Sequence, residues 1–271
     1  MTHYKRQMFG SFSGASPSSG SDWGEQMLGT VASKSIALLF SQSESVDVQI
    51  RCSPPSKLLQ GAVDSVKMEG QRLVIRRDFP VEYMSFETDA VSLDFSSVLS
   101  GKLLLKQPTQ AVAKVVLTEA GIDRSFGAEL VTQRLQNLDV PELLEVSGGK
   151  PVSFQEVNIG LLPQNRLELT AIAQSQDSEP VPLHLITTIA IERRRRITFT
   201  DPQFKTDNIP EALREQSLAL GKALVSLLGN MIDLDRFNLD GVVMRLNRLD
   251  TEGKTLVFSG YAQIEHFPKT R

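Results

Sequence analysis

The sequence predicts an α+β fold in which antiparallel sheets turn one apolar face toward amphipathic helices. The first observation is a stretch of alternating apolar and polar residues from Leu58 to Leu117, a period typical of strands with one buried face. The second is an equally regular alternation from Val181 to Ile191. The third is a pair of segments, residues 22–41 and one starting at Pro210, whose apolar residues recur at helical spacing.

The first half begins with residues 1–21, a segment rich in Gly and Ser that we expect to be a flexible tail. A helix is predicted from about Asp22, its N-cap, to Ser41. A strand over residues 46–50 follows and ends before two prolines, because proline cannot donate to a ladder. The long alternating block comes next, and a second helical segment starts near Thr118.

The second half has strands and then a helix. Strands are predicted over residues 152–161, 167–171, 181–191 and 197–199. The following helix starts at Pro210, because proline is favoured in the first turn. The chain ends in a hairpin with a polar turn at residues 250–253. Since both halves contribute sheets that need a helical cover, we predict that residues 22–271 form a single domain.

The composition argues against several functional classes. The 271 residues carry a net charge of −3, without the basic excess of nucleic-acid-binding proteins. Cys52 is the single cysteine, so no disulfide can form within the chain. The apolar stretches are far shorter than the about 20 residues of a membrane-spanning helix, and the N-terminus does not have the pattern of a secretory signal. We expect a cytoplasmic protein, either in solution or peripheral on a membrane, without a nucleic-acid partner.

No chemistry-bearing residues occur at the spacing of a known site. The three histidines lie far apart, and the acidic residues around Asp235 are not followed by the glycine and glutamate of a calcium loop. Gly148-Gly149-Lys150 is followed by proline rather than by the Ser or Thr of a phosphate loop. We therefore expect no metal, no cofactor and no enzymatic activity. A hydrolase whose Ser, His and Asp converge only in the folded chain is left open.

Four consecutive arginines interrupt an otherwise regular strand. Alternate residues of a strand point to opposite faces, so this run would charge both faces of a sheet. We expect it to leave the sheet and project into water as a loop or strand tip. The functional alternative is contact with anionic lipid head groups, where each basic residue contributes about 1 kcal/mol, provided that an apolar contact lies beside it. The candidate membrane-contact residues are Arg193, Arg194, Arg195 and Arg196.

Short phrases of the first half carry a family resemblance. They are Leu58-Leu59-Gln60-Gly61, the passage from Phe86 to Phe95, Val98-Leu99-Ser100-Gly101-Lys102-Leu103 and Val116-Leu117-Thr118-Glu119-Ala120. Together with the order of elements, they make residues 31–267 resemble the bacterial LmeA-like phospholipid-binding family, formerly a domain of unknown function. The resemblance implies an elongated α+β fold in which strongly bent sheets wrap around long helices, similar to tubular lipid-binding domains. It also implies phospholipid binding without a catalytic centre.

Actinobacterial members of that family are usually exported or membrane-anchored, which we do not expect of this sequence, and it looks more like the cyanobacterial branch. The leading hypothesis is a non-enzymatic protein that binds phospholipid or another acyl lipid in an apolar groove between helix and sheet, as a carrier or a peripheral membrane protein. The alternative is a closed-core scaffold that binds other proteins and holds no ligand. A continuous cavity large enough for acyl chains would separate the two. The candidate groove walls are Leu28, Val31, Leu39, Phe86, Leu93, Phe95 and Leu105.

Overall fold

The computed structural model describes residues 29–266 apart from 31, 35, 38, 39, 76, 95, 98, 99, 101–103, 177, 233 and 235–240. Its described residues between 29 and 37 are helical, and we call them the cover helix. They lie within the helix predicted over residues 22–41, whereas Phe40 and Ser41 are already outside helical structure. The predicted tail, residues 1–21, lies outside the described residues.

The larger sheet contains six strands, and every neighbouring pair is antiparallel. In spatial order they are β1 (Ser45–Arg51), β3 (Ser65–Ile75), β4 (Phe79–Thr88), β6 (Thr109–Thr118), β12 (Thr255–Ile264) and β11 (Val242–Glu252). A separate two-stranded ladder joins β2 (Ala62–Val63) to β5 (Val91–Ser92). Along β6 the buried Ala111 and Ala113 alternate with the exposed Val112 and Lys114. The period-two pattern is thus confirmed for such strands. Between residues 93 and 108, however, the described residues form no named strand, only an isolated bridge between Leu93 and Leu105.

The smaller sheet lies entirely within the second half of the chain. Its spatial order is β10 (Arg196–Phe204), β9 (Val181–Glu192), β8 (Arg166–Ser175) and β7 (Val152–Leu162), all antiparallel. The uninterrupted alternation predicted for residues 181–191 is confirmed: Leu183, Leu185 and Ile189 are buried on one face.

The helices connect and cover these sheets. They are α1 (Glu119–Phe126), α2 (Glu129–Thr132), α3 (Pro141–Val146) and α4 (Arg214–Met231), with 3₁₀ turns at Pro55–Gln60 and Glu211–Leu213. Helix α1 starts as predicted at Thr118, whose hydroxyl accepts a hydrogen bond from Gly121 N at 3.0 Å. Helix α4 buries Leu220, Leu224 and Leu228 in the core of the smaller sheet. Antiparallel sheets with helices packed against them confirm the predicted α+β class.

Helix α1 binds the edge of the smaller sheet. Glu119 accepts a hydrogen bond from Leu161 N, and Asp123 accepts one from Ile159 N, both at 2.7 Å. Both N–H groups belong to β7, an edge strand whose outer groups would otherwise lack protein partners. Because α1 directly follows β6, these two carboxylates attach the smaller sheet to the end of the larger one.

A turn of the smaller sheet also binds the edge strand β11. Asn165, in the β7–β8 turn, donates from Nδ2 to Leu249 O at 2.9 Å and accepts from Thr251 N at 2.8 Å. The Thr251 hydroxyl donates in return to Leu162 O at 2.7 Å. These bonds satisfy backbone groups at the outer edge of the larger sheet and fix the two sheets together.

Candidate functional site

The space between the cover helix and the larger sheet is predominantly apolar. Ala32 and Ile36 of the helix are 1% and 2% exposed and pack into a core formed with the inner face of the sheet. The helix lies close to β1, since a Cβ added to Gly29 would lie 3.2 Å from Val48 O. The other buried members of this core are Val48, Ile50, Cys52, Leu58, Val63, Val66, Met68, Leu73, Val81, Val91, Leu93 and Val115. This is the region in which the sequence predicts a groove.

The apolar interior continues toward the second half of the chain. Leu117 of β6 and Phe258 of β12 pack both against the core under the cover helix and against the core under α4. The two cores therefore meet at these side chains. The larger sheet consequently carries an apolar inner face, which packs against the cover helix in one region and joins the core under α4 in the other.

A small cavity lies beneath the cover helix. Its volume is about 10 Å³, which is room for about one water molecule. Its polar lining residues are Thr88 and Thr109. The Thr88 hydroxyl accepts a hydrogen bond from Val66 N at 3.0 Å and donates one to Val66 O at 3.3 Å. The remaining lining residues are Ala32, Ile50, Val66, Phe86, Val91, Leu93 and Ile264. The lining thus offers a largely apolar surface, but the cavity formed by these described residues is too small for an acyl chain.

The structure brings the described candidate wall residues together. Phe86 and Leu93 line the cavity, and Leu105 pairs with Leu93 through an isolated β-bridge and packs against the same core. Leu93 is buried, whereas Phe86 and Leu105 are half-buried. The other four candidates, Leu28, Val31, Leu39 and Phe95, lie outside the described residues.

Sequence reasoning missed most of the remaining lining residues. Ile50 and Val66 could have been found, because they belong to the same alternating pattern and pair directly across β1 and β3. Thr109 and Ile264 could not, because they meet through the pairing of β6 with β12, which are far apart in the sequence.

Two of the phrases that carry the family resemblance meet beside the cavity. Leu93 N donates to Gly61 O at 2.6 Å, and Lys106 Nζ donates to Gln60 O at 3.3 Å. Gly61 has a φ of 76°, and a Cβ there would lie 2.0 Å from Leu93 O. Only glycine fits this close approach without displacing the backbone. The phrase at residues 58–61 therefore positions Leu93 over the interior.

The arginine run forms the turn between β9 and β10. Arg193 and Arg194 have φ values of 48° and 59°, the positive values that a type I′ hairpin turn has at both central residues. Arg195 N donates to Glu192 O at 3.1 Å and closes the turn. The predicted strand tip is confirmed, whereas the expected projection into water is not, because Arg194 and Arg196 contact neighbouring elements.

Arg194 contacts the edge of the larger sheet. Its carbonyl oxygen accepts from Leu246 N at 2.6 Å, and its guanidinium donates to Asn247 Oδ1. Its guanidinium carbon also lies 5.7 Å from the ring centroid of Tyr261, within the range of a cation–π contact. Arg194 therefore joins the hairpin turn to β11 and β12.

Arg196 contacts the C-terminal end of α4. Its Nε donates to Gly229 O at 3.1 Å, and its Nη2 donates to Asn230 Oδ1. A cation is favourable there, because the last carbonyl groups of a helix carry partial negative charge. Arg193, in contrast, is exposed at the tip. Contact of the run with a membrane stays a prediction.

Two chemistry-bearing groups outside the cavity, Cys52 and His184, have protein partners close by. In the described part of the chain, no three His, Cys, Asp or Glu residues converge on a possible metal site, and no helix is long and apolar enough to cross a membrane. Cys52 is buried with its Sγ 3.3 Å from Ala62 O. His184 Nε2 lies 2.7 Å from Glu168 Oε1 on the outer face of the smaller sheet. The expected lack of cofactors and of enzymatic activity stays a prediction, as does the cytoplasmic location.

The comparison with protein families gives one match. A family model described as LmeA-like phospholipid-binding matches residues 20–260, which is most of the chain. The chain therefore belongs to the LmeA-like phospholipid-binding family. Comparisons with curated proteins and with solved structures give no significant match.

Proposed function

We propose that this protein binds phospholipid by taking an acyl chain into the interior between the cover helix and the larger sheet. The observation that carries the proposal is the lining of the cavity, which consists of aliphatic and aromatic side chains and two threonines without a charged group. Such a surface is complementary to a hydrocarbon chain, and it contains no charged group that a ligand would have to pair with. Membership in a phospholipid-binding family supports this choice of ligand.

The cover helix has to move for an acyl chain to enter. The cavity of about 10 Å³ is far below the about 300–1,000 Å³ of typical ligand sites. Each buried methylene contributes about 0.8 kcal/mol, so about eight methylenes would contribute about 6 kcal/mol. We propose that the bound form has the chain between helix and sheet, the sheet wrapping around both. This is the tubular arrangement that the sequence resemblance implies.

In this proposal the protein is a carrier or a peripheral membrane protein without a catalytic role. The residues that line the cavity include neither a nucleophile next to a base nor two carboxylates, the groups that ester hydrolysis needs. The lipid would be held by burial and released by the same movement of the cover helix.

Native mass spectrometry of the purified full chain, followed by lipid extraction, tests the proposal. A bound phospholipid mass is the expected result. Ala111, buried on the inner face of β6, gives a variant that fills the interior, Ala111→Phe, and the exposed Gln155 of β7 gives the matched control, Gln155→Phe. The inner variant should lose the lipid and the outer one should keep it. Since overpacking costs about 1–3 kcal/mol, thermal unfolding checks both variants, and Ala111→Val serves if the larger change unfolds the protein.

One observation favours the second candidate function, a closed-core scaffold for other proteins. The cavity beneath the cover helix is too small for an acyl chain, which is what we expect of a scaffold that binds no ligand. A purified protein with no lipid mass, and with no lipid taken up from vesicles of phosphatidylcholine and phosphatidylglycerol, would support the scaffold and contradict lipid binding.

A further inference from the structure

The outer face of β6, β12 and β11 carries an apolar and basic surface. The strand register places five rows of outward residues on this face, and the three rows nearest Gln110 contain nine of them. Three of them are apolar or aromatic and exposed: Val112 at 56%, Tyr261 at 48% and Val243 at 42%. Three are cations, three are neutral polar residues, and none of the nine is acidic. We call its six apolar and basic residues the outer patch: Val112, Lys114, Val243, Arg245, Arg248 and Tyr261.

The arginine turn adds a further cation to this surface. Arg194 comes from the smaller sheet, passes the edge strand β11 and lies over the Tyr261 ring at 5.7 Å. Anionic head groups would need an apolar contact beside the arginines, and the fold supplies it in Tyr261 and the neighbouring Val112, which face each other across β12 and β6. Neither residue is near the arginines in the sequence.

Acidic groups border the patch without lying in it. Glu87 of β4 is paired in register with Val112. Asp250 and Glu252 lie in the next two rows of the same face, and Asp250 forms an ion pair with Arg248. The charge of the patch together with Arg194 therefore remains positive although the whole chain is slightly acidic. A local positive field on an acidic protein favours an anionic partner at this face.

We propose that the outer patch docks on the surface of a bilayer that contains anionic phospholipids. Tyrosine is enriched at membrane–water interfaces because its ring is apolar and its hydroxyl is polar. Cations near an anionic leaflet are attracted to it, and exposed valines can enter the interfacial region beside them. Because apolar and basic residues alternate over adjacent rows of the sheet, the patch suits contact with an extended membrane surface better than binding of a single small ligand.

The location of the patch connects docking to the interior. Val112 lies between Ala111 and Ala113, which face inward, and Tyr261 precedes the inward Ala262. Docking would thus bring the strands that line the cavity through Thr109 and Ile264 to the membrane surface. This inference rests on the proposed function, because a membrane is the source of the lipid.

Vesicle sedimentation with the full chain tests the docking surface. The probes are vesicles of equal parts phosphatidylcholine and phosphatidylglycerol, with phosphatidylcholine alone as the neutral reference. Lys114→Glu removes one cation and adds one anion, so binding to the anionic vesicles should fall about thirtyfold, from about 1 kcal/mol per charge. The matched control is Lys222→Glu, at an exposed lysine on α4, which should change binding little.

A second pair of variants tests the apolar part. Val112→Ser should weaken binding about fivefold, since roughly half of a valine side chain is available for burial. Leu130→Ser, at a leucine that is 50% exposed on α2, is its control. Thermal unfolding should show all four variants folded, because the replaced side chains are exposed.

Several results would overturn the docking surface. One is equal binding of Lys114→Glu and Lys222→Glu to the anionic vesicles, and another is equal binding of the native chain to anionic and neutral vesicles. A third is binding to polyglutamate but not to vesicles, which would indicate an acidic protein partner. A lipid mass without vesicle binding would overturn docking alone. Vesicle binding that depends on the patch, with no lipid in the interior, would overturn the proposed function alone.

Discussion

Replacing Glu119 by glutamine tests whether one carboxylate holds the two sheets together. Its Oε2 accepts a hydrogen bond from Leu161 N at 2.7 Å, and its two oxygens lie 2.7 and 2.8 Å from Lys254 Nζ. Leu161 belongs to the smaller sheet, and Lys254 lies in the β11–β12 turn of the larger one. The variant removes the charge but keeps one oxygen and nearly the same shape.

The expected cost follows from these contacts. A hydrogen bond to a charged acceptor contributes about 1.5–3 kcal/mol, of which the amide oxygen retains part. The Lys254 side chain is 76% exposed, so the ion pair contributes at most about 1 kcal/mol. We therefore expect Glu119→Gln to lower the free energy of unfolding by about 1–2 kcal/mol near neutral pH, measured by urea-induced unfolding.

The pH dependence gives the sharper test. The hydrogen bonds from Lys254 lower the pKa of Glu119 below its ordinary 4.5, and the bond from Leu161 N adds to the effect. A lowered folded-state pKa means that the stabilisation is complete above the unfolded pKa and is lost as the pH falls through the folded one. The difference between native and variant protein should therefore shrink as the pH falls below about 4.5.

Glu145→Gln, at an exposed carboxylate on α3, is the control and should change stability within about 0.5 kcal/mol. A Glu119→Gln difference that is absent near neutral pH would refute the role of the carboxylate. If the stability difference between the native protein and Glu119→Gln stays the same at a pH where Glu119 is protonated, its electrostatic origin is refuted.

Three further substitutions probe the wall of the interior, each by urea-induced unfolding. Leu93→Ala should cost about 2–5 kcal/mol, because the side chain is buried and lines the cavity, and a loss below about 1 kcal/mol would show that the site collapses around the smaller residue. Gly61→Ala should cost at least about 2 kcal/mol, because the new Cβ would meet Leu93 O and the positive φ is unfavourable; an unchanged midpoint would contradict the close approach. Thr88→Val should cost about 1–3 kcal/mol by leaving Val66 N–H without its buried acceptor, whereas a neutral result would mean that this group finds another partner.

Local features of the fold could be predicted because they depend on neighbouring residues. Side-chain direction in a strand alternates by necessity, so the buried faces of β6 and β9 follow directly from the sequence pattern. The start of α1 at Thr118 follows from the local need to satisfy free N–H groups in the first turn. Phe86, Leu93 and Leu105 were predicted as wall residues because they belong to such patterns.

The relations between distant segments could not be predicted in the same way. The pairing of β12 with β6 places Ile264 beside Thr109, yet neither strand carries a pattern that specifies its partner. The arginine run is the clearest case. The sequence correctly predicts a turn at the strand tip but not that it packs against other elements, because the contacts of Arg194 with Tyr261 and of Arg196 with α4 depend on how the two sheets come together.

The closed cavity and the proposed lipid site are compatible if an acyl chain replaces side chains of the cover helix. Its described buried residues, Ala32 and Ile36, contribute about 3–4 kcal/mol through apolar burial. An acyl chain that buries about eight methylenes contributes about 6 kcal/mol, which is of the same order. For the described residues the difference is about 2–3 kcal/mol in favour of the acyl chain, a size that allows lipid both to enter and to be released. Such a difference suits capture and release of lipid, whereas a large empty cavity would expose apolar surface to water whenever the lipid left.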